Sequence, residues 1–255
     1  MSDKSKSRAA KAAELKAEHE RAAKRQRNII TAAVIAVVVV LIGVAFYAVR
    51  TASDANSVPY TEPANMTADF GFVVTPEDFG GTSDNPAEVV IYEDMQCPAC
   101  AALTSVVGGF LTEQLEKGTI TLETRIVSFL DRASTNQYSS RAANAAACVW
   151  DTSEPAAFKR FQDALFAAQP VEGGPGPENA ALGEAALAVG ASADSVKCIN
   201  EGIFAPWVEK AYVAFGEAGY NGTPTVLIDG KQVTGKDGAL PNIADFEKAI
   251  AAARK

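Results

Sequence analysis

Ala87-Glu88-Val89-Val90-Ile91-Tyr92-Glu93-Asp94-Met95-Gln96-Cys97-Pro98-Ala99-Cys100 is the stretch that decides the fold. Ala87 to Tyr92 is a short, largely apolar and β-branched run, which reads as a strand. It leads directly into Cys97-Pro98-Ala99-Cys100 and then into a helical spacing, with Leu103, Val107, Phe110 or Leu111, and Leu115 on one face. A Cys-X-X-Cys pair is therefore expected where a strand becomes a helix. Toward the N-terminus, Phe70 to Val74 reads as another short strand. On the other side, after Lys117-Gly118, the stretch Thr119 to Val127 alternates, with Ile120, Leu122, Thr124 and Ile126 on one side, as in a half-buried strand.

About 90 residues then look helical: Ser134 to Val149, Pro155 to Ala168 with Phe158, Phe161 and Leu165 aligned, Glu178 to Val189, and Ala205 to Ala218 with Trp207, Ala211 and Phe215 aligned. Gln169 to Pro177, rich in Gly and Pro, separates two of them. Strand signals return at Thr225 to Ile228. Asp229-Gly230 follows as a hairpin turn, with a further short strand at Lys231 to Thr234. A last helix, Asn242 to Ala253, would bury Ile243, Phe246 and Ile250. The order implies an α/β fold, a mixed sheet interrupted by a helical insertion at about 133–218, within a domain over 69–255.

A Cys-X-X-Cys motif serves either as half of a zinc site or as a dithiol redox centre. A zinc ribbon needs a second close pair, whereas Cys148 and Cys198 stand apart and the only histidine of the chain is His19. A copper-carrying dithiol would find only Met66 and Met95 as soft partners in the same domain. A purely structural bridge from i to i+3 would constrain little within one helical turn. Redox chemistry has the stronger physical argument. Cys97 would sit at a helix N-terminus, where unpaired N–H groups and the helix dipole stabilise a thiolate. Pro98 takes the first helical position, where a missing N–H is no loss, and Cys100 one turn on is placed to resolve a mixed disulfide. No metal and no cofactor is expected.

The 255 residues carry 23 Lys/Arg against 31 Asp/Glu, a net charge of −8, but residues 1–28 hold nine Lys/Arg against four Asp/Glu. Everything after Arg50 is acidic, which argues against nucleic-acid binding. With His19 in the basic tail, the main domain has no histidine for Ser-His or Cys-His catalysis. Residues 29–49 are 21 uncharged residues, about 31 Å of helix at roughly 1.5 Å per residue, enough for one transmembrane helix. Lys24, Arg25 and Arg27 before it, against Arg50 after it, place the N-terminus in the cytoplasm and the catalytic domain outside. A cleaved signal peptide ending near Ser53-Asp54-Ala55 is the rival reading, but the apolar run is longer than the usual h-region. The tail 1–28, whose only large apolar residue is Leu15, reads as topogenic, and 50–68 as a linker.

The chain resembles the DsbA-like thioredoxin-fold thiol-disulfide oxidoreductases, most nearly the membrane-anchored actinobacterial forms. The resemblance covers roughly 69–255 and rests on Tyr92 to Cys100, on Asn136-Gln137-Tyr138-Ser139-Ser140-Arg141, and on Gly222-Thr223-Pro224-Thr225. It implies a thioredoxin-like mixed sheet with an inserted helical domain, and a cis Thr223-Pro224 bond facing the dithiol, its backbone pairing with substrate as an added strand. Cys148 and Cys198, left over in an oxidising compartment, are expected to pair, as in related actinobacterial proteins. Two departures stand out. Many members carry a histidine where this chain has Ala99, so a milder oxidant is expected. Thioredoxin-fold enzymes often carry a buried acid six residues before the first cysteine, where this chain has Ile91. Glu93 or Asp94 could stand in for that acid, or both could be solvated loop carboxylates.

The resulting expectation is a membrane-tethered monomer, single-pass in the cell membrane, that donates its Cys97–Cys100 disulfide to unfolded exported proteins. The resemblance implies reoxidation by a quinone-linked membrane partner of the vitamin K epoxide reductase or DsbB type. An isomerase or reductase of the same fold, and a non-catalytic peptide- or metal-binding module, are the alternatives. The former usually carries a dimerisation segment ahead of the fold, and here only a short linker precedes it.

Overall fold

The computed structural model describes residues 58–82 and 85–255, together with Ile42. The basic tail 1–28, the span expected over 29–49 apart from Ile42, and the linker as far as 57 lie outside the described residues. No helix among the described residues is long and apolar enough to cross a membrane.

Strand β2, Ala87–Glu93, has every residue but Glu88 buried. A strand with water on neither face needs partners on both edges and packing on both sides. Strand β3, Ile120–Ile126, pairs with it in parallel, Val89 beside Leu122, and strand β4, Thr225–Ile228, antiparallel, Val90 beside Leu227. The edge strands β1, Phe72–Val74, and β5, Lys231–Gln232, complete the order β1-β3-β2-β4-β5. Parallel pairing of consecutive strands needs a crossover, supplied by helix α1, Pro98–Glu116. Because side chains alternate along a strand, Val89 and Ile91 join Phe72, Leu122 and the Leu103, Val107, Leu111 and Leu115 stripe of α1 in the main core. Val90 and Tyr92 point the other way, to Val127, Leu227 and Phe215.

Between β3 and β4 lie helices α2, Tyr138–Thr152, α3, Pro155–Ala167, α4, Asn179–Ala188, α5, Ala193–Glu201, and α6, Ala205–Glu217, and α7, Ile243–Ala253, follows the sheet. The alanines of α2, Ala142, Ala143 and Ala145 to Ala147, are all fully buried, so neighbouring helices approach it closely on several sides. Phe72 of edge strand β1 inserts among Trp150, Phe158 and Trp207 with ring centroids 5.1, 5.1 and 5.3 Å away, which fastens the helical block to the sheet. Cys148 of α2 is disulfide-bonded to Cys198 of α5, their Cα atoms 5.7 Å apart.

The elements differ from the sequence reading at their ends. Strand β1 starts at Phe72, because Thr67 to Gly71 closes a turn, with Thr67 Oγ1 accepting from Gly71 N and Phe70 at a φ of 64°. Helix α2 starts at Tyr138, whose N–H donates to Ser134 Oγ; Ser134 itself lies in the preceding turn. Helix α5 is an element of its own that periodicity did not isolate. It is nine residues long, capped by Ser192 Oγ accepting from Asp194 N, and ends at Gly202 with a φ of 64°.

Candidate functional site: the dithiol at the β2–α1 junction

The strand-to-helix junction fixes the cysteines. Cys97 is the N-cap of α1, with Pro98 at the first helical position. Its carbonyl accepts from the N–H groups of Cys100 at 3.0 Å and Ala101 at 3.2 Å, which begins the helix. Cys97 is 7% exposed and Cys100 1%, so both are buried and Cys97 is the less deeply so. From the α6–β4 loop the Thr223–Pro224 peptide, which is cis, comes to the same point, with the Thr223 carbonyl 3.3 Å from Cys97 Sγ, which donates to it only while protonated.

The two thiols are driven apart in acidity. The Cys97 thiol is brought down to about 6, first by a hydrogen bond from the Cys100 thiol. Burial opposes this, while the backbone N–H groups of Cys100 and Ala99 add to it. Cys100 is pushed far up, by burial first, then by its hydrogen bond to Cys97 and the charges of Cys97 and Glu93. At neutral pH this arrangement holds one thiolate, on Cys97, and one proton, on Cys100.

Glu93 and Asp94 are not solvated loop carboxylates: they are 3% and 0% exposed. Asp94 is a joint. Its Oδ1 accepts from Gln96 N and Ser139 Oγ and its Oδ2 from Leu130 N, at 2.7–2.8 Å, tying the dithiol loop to the β3–α2 connection and to α2. Glu93 lies on the Ile91 face of β2, and its Oε1 has no hydrogen-bond partner. Burial pushes its carboxyl up to about 8, against the pull of Lys159. Lys159 is itself 4% exposed and donates to both carboxylate oxygens of Asp163 at 2.6 Å. Glu93, Gln162, Lys159 and Asp163 line a cavity of about 20 Å³ between the sheet, α1 and α3. The result is a carboxyl that changes charge near neutral pH and is coupled electrostatically to both cysteines.

The comparisons agree with this geometry. A family model described as "Thioredoxin" matches residues 75–252. The chain belongs to the thioredoxin family. Among solved structures of this kind, reduced DsbA from Mycobacterium tuberculosis is 32% identical with a TM-score of 0.58, covering 72% of this chain and 99% of that one. The MdbA protein from Corynebacterium diphtheriae, a thiol-disulfide oxidoreductase, is 25% identical with a TM-score of 0.58, covering 77% and 94%. Serine/threonine-protein kinase PknE of Mycobacterium tuberculosis is 29% identical over 163 residues, 61% of this chain; the chain thus spans 29% of the length of the curated relatives it matches. The fold and the paired cysteines over 58–255 are those of a DsbA-like thiol-disulfide oxidoreductase.

In this thioredoxin-family domain, Cys97, Cys100, Thr223 and Pro224 meet at one point, while Cys148 and Cys198 are bonded to each other within the helical insertion. Sequence reasoning missed Lys159 and Asp163, which α3 brings beside Glu93. Their i,i+4 spacing marks an ion pair, but nothing local marks the lysine end of it as buried. A larger cavity of about 340 Å³, lined by Asp69, Tyr92, Arg125 and Phe215, opens on the opposite face of β2. There Arg125 already donates to Tyr92 Oη and pairs with Glu123 and Asp69.

Proposed function

We propose that the protein is a membrane-anchored, extracytoplasmic disulfide donor, with Cys97 as the sulfur that forms the mixed disulfide with a client, and the attacking one in the reducing direction, and Cys100 as the resolving one. The observation that carries this reading is the split in acidity, Cys97 brought down to about 6 and Cys100 pushed far up. A low thiol pKa makes Cys97 a good leaving group and stabilises the reduced form, so the Cys97–Cys100 disulfide tends to pass its oxidation on. A client thiolate attacks Cys97 Sγ, the Cys97–Cys100 bond breaks, and Cys100 leaves with the electron pair and takes up a proton. A second client thiolate then attacks the client sulfur of the mixed disulfide and expels Cys97 as thiolate. Two electrons have passed from client to enzyme, and the client holds a new disulfide.

The half-buried Thr223–Pro224 loop, beside Cys97, suits an extended client backbone. The clients are unfolded exported proteins, and a quinone-linked membrane partner of the vitamin K epoxide reductase or DsbB type takes the two electrons away. The 21 uncharged residues at 29–49, flanked by Lys24, Arg25 and Arg27, support the anchor and its orientation, and the acidic domain works as a monomer outside the membrane. The test is equilibration of the full-length chain in detergent with glutathione buffers. A potential nearer about −120 mV than about −270 mV supports a donor, and one at the lower value would make it a reductase.

A further inference from the structure

Helix α3 ends at Ala167, and the segment that follows, Gln169 to Pro177, contains Gly173, Gly174 and Gly176 with Pro170, Pro175 and Pro177 and forms neither helix nor strand. Such a segment has no ladder to hold it, so its place is set by side chains. Four hydrogen bonds join it to the dithiol loop, and they run in both directions. Gln96 Nε2, from the loop, donates to the carbonyls of Val171 at 3.2 Å and Gly174 at 3.0 Å. Gln169 Nε2, from the segment, donates to the carbonyls of Met95 and Cys97, both at 3.0 Å.

The far end of the segment is held by the Asn136 to Arg141 motif. Asn136 Nδ2 donates to Gly176 O and Asn136 Oδ1 accepts from Gly176 N, while Arg141 Nη1 donates to Pro177 O at 2.7 Å. A Cβ on Gly176 would come within 2.1 Å of Tyr138, so only glycine lets the segment lie this close.

We propose that Gln96 and Gln169 form a reciprocal amide clamp that makes the 169–177 segment a positioning element for the Cys97 thiolate. This rests on the reading of Cys97 as the attacking sulfur. The carbonyl that Gln169 holds is the Cys97 carbonyl on which the first turn of α1 is built, and that turn carries the Ala99 and Cys100 N–H groups that favour the thiolate. Met95 and Gln96 are fully buried, so a carbonyl there that loses its donor cannot turn to water and the loop shifts instead. Both glutamines act purely as donors. A side chain of similar length without N–H groups removes the clamp and little else, and Gln169, being half-buried, tolerates such a change.

The test is the pH dependence of Cys97 alkylation in the reduced full-length chain in detergent, with the modified peptide identified by mass. A parent midpoint near the ordinary thiol value would overturn the Cys97 reading itself, whatever the variants do. Given a low parent midpoint, Gln169→Met and Gln96→Met should each raise it by about half a unit or more, which reads as roughly threefold slower alkylation below the midpoint. The double variant should shift it by less than the sum, because the clamp needs both amides and losing either one already frees the loop. Glu172→Gln, in the same segment but without a bond to the dithiol loop, should leave it unmoved. If Gln96→Met fails to fold, Gln169→Met and the shorter Gln169→Asn decide alone. A folded Gln169→Met with the parent midpoint, or a shift equalled by Glu172→Gln, overturns the clamp.

Discussion

Glu93 stands two residues beyond Ile91 on the same face of β2, so a buried carboxyl on that face lies four residues before Cys97, with Ile91 at the position six before. A period of two keeps the face and shortens the distance to the dithiol. The displacement also brings the carboxyl under α3, beside Lys159 and Asp163.

A pH dependence of stability follows. Burial raises the Glu93 carboxyl from an ordinary 4.5 to about 8. The folded state therefore binds a proton that the unfolded state releases, and its share of stability is fully present below about 4.5 and lost as pH rises through about 8. Glu93→Gln keeps the shape and removes the titration. Relative to the parent it should show a higher denaturation midpoint at pH 9 and little difference at pH 4. Urea titrations of the disulfide form, in which neither active cysteine titrates and burial still raises the carboxyl though the Cys97 charge no longer adds to it, check the direction; a parallel pair of curves would refute it.

As a buried carboxyl coupled electrostatically to Cys100, Glu93 is the candidate acceptor for the proton that Cys100 must lose before it can attack a mixed disulfide. Glu93→Gln should slow that resolving step by about tenfold or more, at the low end of what a positioned acid–base group supplies. Stopped-flow release of a labelled peptide from a Cys97 mixed disulfide measures it. Unchanged release would leave Glu93 a structural group only.

Much of this site could be read in the chain because it is local. The cysteines, Pro98 and the strand before them lie within one strand-to-helix junction, and Thr223-Pro224 was recognisable from its own short motif. The clamp was not legible. Gln169 opens a Gly/Pro-rich break that composition reads only as a loop, and its two acceptors lie more than 70 residues away in sequence. Helix α5 escaped for a different reason. At nine residues it is too short for Val196 and Ile199 to establish a helical period. The carboxylates were seen, but their burial depends on α3 and on the β3–α2 connection, which no local pattern places.

Trapping separates the two sulfurs. Cys100→Ser should accumulate mixed disulfides with client proteins, and Cys97→Ser should not, since Cys97 is the less deeply buried and the acidic thiol. The donor role of Cys100 gives a second readout. Its thiol is the largest cause of the low Cys97 pKa, so Cys100→Ala should raise the Cys97 midpoint more than Cys100→Ser, which keeps an O–H donor. Equal midpoints in the two variants would remove the Cys100 hydrogen bond from the account.

The bridge between α2 and α5 should matter for stability and not for the dithiol. It closes a loop with a sequence separation of 50 residues, which on the chain-entropy model stabilises the fold by about 4 kcal/mol. Replacing both Cys148 and Cys198 with Ala should lower the melting temperature by roughly 10 °C. The Cys97 alkylation midpoint should stay in place. A shifted midpoint in a folded double variant would mean that the bridge reaches the active pair.

The dependence of the reduction potential on pH gives the last prediction, and it follows from counting protons. The disulfide holds none at the two sulfurs. Below about 6 its reduction takes up two, one on each cysteine, whereas above about 6 Cys97 stays a thiolate and only Cys100 is protonated. For a two-electron couple, each proton per molecule moves the potential by about 30 mV per pH unit. The potential of the full-length chain should therefore fall by about 60 mV per unit below pH 6 and by about 30 mV per unit above it. Glu93 adds a gentler curvature near 8 if its charge differs between the two redox states. Direct electrochemistry, or glutathione equilibration between pH 5 and 8, locates the break. A slope that stays near 60 mV per unit up to pH 8 would mean that Cys97 is an ordinary thiol, and the leaving-group argument for a disulfide donor would lose its basis.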